Sequence, residues 1–338
     1  MKIRPYSVSR LFAVVTLVLF SAAFAVADAY QDKSKPAQAP EAERKAAQKI
    51  NDAKDPAAKL TAAGEFINKY PKSTLRPKIA EFITNMIADT KDVAQRITLA
   101  ESFINTFTEA SEANRMYPIL IDAYLSAKRV DNAFDAAAPW LELNPNEVDV
   151  LYQLAVTGAD EARRQNTKYA KQSQQYGLKA IELIEADKRP EGISVENWNK
   201  NKAVWLPQLY QSMGFLSILS GNTEDALAKL QKAMTLNPND PFNYVLVGSI
   251  KNNQYLAAAN QVRAMPAGAA RTDAEKKLMT QLDEIIDLFA HAIGLMEGKP
   301  QYQAMHDQLL PDTTNYYKFR HNNSTAGLQD LINKYKQP

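Results

Sequence analysis

The sequence predicts an all-α chain, an α-solenoid of helical hairpins closed by a C-terminal helical cap. Three observations predict it. Glycine is scarce, at 11 residues, no Asn-Gly or Asp-Gly dipeptide occurs, and Ala, Leu, Lys, Glu and Gln abound, which disfavours hairpin-rich β folds. From about Ala46 onward apolar residues recur three and four positions apart, in blocks broken by Pro, Asn, Gly or Asp, the mark of successive amphipathic helices. The blocks also repeat, and a repeat decides the fold more firmly than any local propensity.

The first element is a secretory signal over residues 1–27. Lys2, Arg4 and Arg10 precede an apolar run from Leu11 to Ala27 that ends in small residues. Ala-x-Ala triplets end at Ala25, Ala27 and Ala29. The middle one closes the apolar run, so cleavage is expected after Ala27, with an uncleaved anchor as the other reading. Residues 28–45, polar and carrying Pro36 and Pro40, read as a flexible linker.

The helical array is expected over 46–272. Leu60 to Tyr70 matches Ile97 to Phe107 at an offset of 37 residues, and Ala137, Trp140 and Leu141 stand a further 37 on. Phe66, Phe103 and Trp140 thus share one repeat position. A later unit starts with Tyr117, Leu120, Tyr124 and Ala133, and another opens at Leu151, Leu154 and Ala155. Between 163 and 200 the period breaks, and an insertion of about a dozen residues is expected there, either a binding element or a longer loop.

Tyr210, Met213 and Gly214 then recur as Tyr244, Val247 and Gly248 at an offset of 34. With Ala226, Leu230, Ala233 and the closing Pro238, the segment Tyr210 to Asp240 resembles the tetratricopeptide repeat (TPR) family, with Ser217 where an aromatic is usual. Spacing explains the pattern: Gly214 and Ala226 are small where helix A crosses helix B, while Tyr210 and Leu230 fill the flanks. Gly221 is placed to end helix A, Asn222 or Thr223 to cap helix B, and Asp240 to cap the next helix ahead of Pro241. Residues 273–338 leave this register and read as the cap. Thr272 to Glu275 is a capping-box start for a helix to about Met296, followed by helices near 302–309 and 324–335. Tyr316 to Ser324 resembles a segment of exported bacterial TPR proteins of unassigned function.

Composition narrows the chemistry. Removing residues 1–27 takes three of the 40 Lys+Arg and no acid, leaving 37 against 38 Asp+Glu, a formal net charge of −1. A near-neutral chain with both signs mixed lacks the footprint of a nucleic-acid binder. With no cysteine, disulfides, thiolate catalysis and a cysteine-borne lipid are excluded. His291, His306 and His321 form no pair at metal-binding spacing, and no nucleophile elbow, phosphate loop or dinucleotide fingerprint occurs. No catalytic residue, metal or cofactor is therefore expected, and the chain reads as a non-enzyme.

The TPR resemblance implies a right-handed superhelical α-solenoid with a concave face lined by the A helices, where a protein or peptide lies. The positions implied are Gln208, Gln211 and Phe215 and, one repeat later, Phe242, Ser249, Asn252 and Asn253. Family members that clamp a terminal carboxylate use a Lys and an Asn one turn apart. Here Gln211/Phe215 and Val245/Ser249 occupy those places, so no such clamp is expected. The functional expectation is a periplasmic or secreted protein-binding scaffold of the bacterial envelope. The alternative is a module for glycan or cell-wall polymer, suggested by Trp140, Trp198 and Trp205.

Overall fold

The computed structural model describes residues 39–336. The expected signal over 1–27, its cleavage after Ala27 and the linker up to residue 38 lie outside the described residues. Among the described residues all regular structure is helical, with fourteen α-helices, two single-turn 3₁₀ segments and no strand. The chain divides after Pro145 into two compact units, each built from neighbouring helical pairs.

The first unit runs α1 (Glu41–Asp52), α2 (Pro56–Lys69), α3 (Arg76–Asp89), α4 (Val93–Thr106), α5 (Ala110–Ser126) and α6 (Val130–Leu143). The linker expected to reach residue 45 gives way to helix at Glu41. Pro40 precedes it, Glu41 and Glu43 face the positive end of its dipole, and Ile50 is its one buried anchor, so composition alone hid it. The 37-residue period is written in the backbone, since α2, α4 and α6 begin at Pro56, Val93 and Val130. Asp55 and Asp92, one period apart, cap α2 and α4 by accepting from the amides of Ala58 and Gln95 at 2.8 and 2.7 Å. At the other ends the amides of Tyr70, Phe107 and Asn144 donate to the carbonyls of Phe66, Phe103 and Trp140 at 2.8, 2.7 and 3.0 Å. Phe66, Phe103 and Trp140 are all buried, and a ring of this size contributes about 2–3 kcal/mol by leaving water.

The second unit pairs α7 (Val148–Arg163) with α8 (Ala170–Glu185), α9 (Val195–Leu219) with α10 (Thr223–Leu236), and α11 (Pro241–Ala264) with α12 (Ala269–Met296). It ends with α13 (Gln303–Arg320) and α14 (Leu328–Asn333). The expected helix crossing is present. A Cβ on Gly214 would stand 2.7 Å from Leu230 Cγ and 3.4 Å from the Ala226 carbonyl. Gly248 meets the Phe289 ring in the same way, and Gly158, missing from the sequence register, meets Ser173 of α8. Each A helix of this unit thus carries a glycine where its B helix crosses. Gly221 ends α9 at φ 75°, and the side chains of Asn222 and Asp240 cap α10 and α11 as expected.

Three boundaries differ from the sequence reading. The expected insertion at 163–200 resolves into α8, which is the ordinary B partner of α7, plus the loop 186–194 and the first turns of a 25-residue α9. The cap does not begin at 273, because α12 is the B partner of α11. Thr272 lies inside α12, its hydroxyl on the Gly268 carbonyl at 3.3 Å, and starts nothing. The C-terminal helices are also displaced. α13 runs on to Arg320 because Thr313 and Tyr317 are buried and hold its second half, and α14 shrinks to six residues anchored by Leu328 and Ile332.

Candidate functional site

The A helices α7 and α9 lie side by side in the second unit, and their facing residues form a cluster of rings and amides. Tyr152 of α7 stacks on Trp205 of α9 at 4.9 Å between centroids and 20° between planes, and Trp198 meets Trp205 edge-on at 6.3 Å. The Tyr152 hydroxyl donates to Gln208. Burial, with Asp160 nearby, pushes that hydroxyl's pKa up to about 12, so it remains a donor throughout the neutral range. Eleven residues further along α7, about 16 Å at helical rise, the Arg163 guanidinium lies over Phe215 at 4.9 Å and is held by Asp160 at 2.5 Å.

The next A helix joins through an amide bridge. Gln211 Nε2 donates to Asp240 Oδ2 at 2.8 Å and to Asn243 Oδ1 at 2.9 Å, while Asp240 Oδ1 caps the Phe242 amide at 2.9 Å. Thus of the seven expected partner-binding positions, Gln208, Gln211 and Phe215 are engaged within the fold. Asn252 is as well, because its Oδ1 accepts from Tyr316 of α13 at 2.8 Å. Phe242 is half-buried, whereas Ser249 and Asn253 are exposed on α11. Of the expected surface, Gln208, exposed although bonded to Tyr152, and the α11 pair Ser249 and Asn253 stay open. Tyr152, Arg163 and Trp205, which help build this face, were not among the expected positions. Tyr152 had a readable signal, since it follows Leu151 in the α7 repeat pattern.

The tryptophans do not form a free ring platform. Trp140 is buried and stacks on Tyr117 at 6.2 Å. Trp198 is 1% exposed, and its indole N–H donates to Asp187 Oδ1 at 2.7 Å. Asp187 also takes the Lys202 ammonium at 2.6 Å, and Lys202 first and Trp198 second hold its carboxyl below the usual range. Trp205 is committed to Tyr152 and Trp198. Of the three rings that suggested a glycan module, Trp140 and Trp198 are thus buried, and Trp205 alone is half-exposed.

The histidines separate by environment. His306 contacts Asp307 at 3.1 Å, and His321 stacks on Tyr317 at 4.0 Å at the end of α13. His291 sits between the rings of Tyr244 and Tyr335, at 3.8 and 3.9 Å. No group of three His, Cys, Asp or Glu that could hold a metal occurs among the described residues, and none of their helices is long and apolar enough to cross a membrane.

No protein-family model matches the chain, and no curated protein matches it either. Among solved structures, it is similar to a monomeric mutant of IFIT1 solved with the capped oligonucleotide m7Gppp-AAAA, with a TM-score of 0.37 and 15% identity. The match covers 83% of this chain and 56% of that one, so the chain spans little more than half of its length. The all-α repeat architecture described above rests on the helices and crossings of this chain itself.

Proposed function

We propose that the chain is a non-enzymatic scaffold of the bacterial cell envelope that binds a partner polypeptide along the A-helix face of residues 146–336. The observation that supports this reading is the α7–α9–α11 face, where rings and amides are fixed by packing and then give way to the exposed Ser249 and Asn253. A face whose side chains are already ordered loses little conformational freedom on binding, which favours recognition of a segment laid across it. The export signal supports an envelope location, and the near-neutral charge supports a polypeptide over a nucleic acid.

Site-specific photocrosslinking tests the reading. A benzophenone amino acid replaces Ser249 or Asn253 in the full chain, expressed in its own cells, with Lys232 on α10 as the control position. The expected result is a discrete polypeptide adduct from Ser249 and Asn253 and none from Lys232. Equal or absent adducts at all three positions would overturn it.

A further inference from the structure

The last thirteen described residues close over α12 through one titratable stack. Leu328 and Ile332 enter a cluster of Leu282, Ile286, Ala290, Ile293 and Tyr317. Gly294 lets the segment approach, since a Cβ there would stand 2.5 Å from the Ile332 carbonyl. Tyr335 then lies flat on His291, at 9° between planes, while Tyr244 of α11 covers the other ring face. Around that stack the fastenings are polar. The Tyr335 hydroxyl donates to Asp287 at 2.6 Å, and Glu297 takes Lys336 at 3.0 Å and Gln329 at 3.2 Å. The joining loop is exposed, with Asn322, Asn323 and Gly327 all at positive φ. A segment held by a few contacts behind such a loop opens more readily than the helices it covers.

We propose that residues 324–336 form a pH-operated clasp: the docked segment requires a neutral His291, and acidification releases it, uncovering the strip Leu282, Ile286, Ala290 and Ile293 on α12. Every group facing His291 bears on the sign. Asp287, one turn back on α12, favours a charged imidazole, but its carboxylate is already taken by Tyr335. Lys334, whose ammonium lies 4.8 Å from the Tyr335 ring centre and 3.1 Å from its hydroxyl, opposes it. Tyr244 and Tyr335 remove water from both ring faces and titrate far above the window. Glu297 is paired with Lys336 and also feels His306, and Tyr302 feels Asp240, so their charges act on those neighbours. Burial is the largest influence, and it holds the His291 pKa below its ordinary value of 6.5, with Asp287 and Lys334 pulling in opposite directions. The undocked segment leaves His291 wetter and more basic, so docking is complete above about pH 6.5 and weakens as pH falls through the histidine range. Glu297 acts lower. Burial alone would raise its carboxyl, but Lys336 and Gln329 hold it below the usual range, so its fastening is lost only in stronger acid.

Hydrogen exchange of the full chain tests this at about pH 7.5 and about pH 5, with intrinsic rates divided out. The wild type is expected to lose protection in 328–336 by roughly tenfold at the lower pH, while amides of α9 and α10 stay unchanged. His291→Phe, which keeps an aromatic in the stack and cannot titrate, is expected to hold the segment docked at both values. Glu297→Gln is expected to keep the wild-type response. The proposal is overturned if wild-type protection is the same at both pH values, if His291→Phe responds as the wild type does, or if the response disappears in Glu297→Gln alone. Should His291→Phe fail to dock at either pH, the imidazole resonance of His291 decides. It must titrate below 6.5 in the wild type and closer to 6.5 in Tyr335→Ala, and the reverse order overturns the clasp.

Discussion

Arg76 and Glu112 show what one residue can decide. Arg76 Nε and Nη2 each donate to a different oxygen of Glu112 at 2.8 Å, joining α3 to α5, and their side chains are only 12% and 7% exposed. Two parallel charge-assisted bonds fix orientation, and burial removes the water that would otherwise take over when one partner is lost. Glu112→Ala is expected to cost about 1.5–3 kcal/mol by removing both bonds from a guanidinium that keeps only Glu109 at 3.0 Å and the Pro71 carbonyl at 3.3 Å. The double variant Arg76→Met with Glu112→Leu is expected to recover most of that loss, because an apolar pair of similar volume carries no desolvation penalty. Urea unfolding of the three proteins measures both. Equal losses in the single and double variants would contradict the account. No sequence reading found this pair, whose members lie 36 residues apart. The same distance problem limited the site, since Gln208 meets Tyr152 across 56 residues and Asn252 meets Tyr316 across 64. Repeat register placed those residues on the right helices, but only the packing of one helix against another showed which were already taken.

At the scale of elements the sequence was most legible where a steric rule has one solution. Gly214 against Leu230 and Ala226, Gly221 at the end of α9, and Asp240 ahead of Pro241 were all readable because few residues serve at a crossing, a left-handed turn or a cap. Element lengths were less legible. α9 runs to 25 residues through Pro207, which is buried in the helix with Trp198, and α12 begins at Ala269, ahead of the start signal at Thr272. Gly214→Leu and Ala226→Leu are each expected to cost about 1–3 kcal/mol by overpacking the α9–α10 crossing. Lys232→Leu, at an exposed site on α10, is expected to change stability by under about 0.5 kcal/mol. Thermal melts of the three variants separate crossing from surface. A Gly214→Leu protein as stable as the wild type would contradict the crossing as the reason for glycine.

For the molecule as a whole, the proposed export has consequences for charge and for the N-terminus. The chain carries a formal net charge of +2, and its pI of about 8.4 depends on Lys2, Arg4 and Arg10. Those three precede the apolar run to Ala27, the arrangement a signal peptidase recognises. Cleavage after Ala27 leaves 37 basic and 38 acidic groups, a net of −1, and moves the pI below neutrality. Protein purified from the envelope is therefore expected to begin at Asp28 and to focus on the acidic side of neutral pH. N-terminal sequencing and isoelectric focusing check the two consequences separately. A start at Val26 or Tyr30 selects another of the three Ala-x-Ala triplets and still supports the proposed export. An intact Met1 on protein that sediments with membranes instead assigns residues 11–27 to an anchor, and the repeat scaffold then works tethered to the membrane surface.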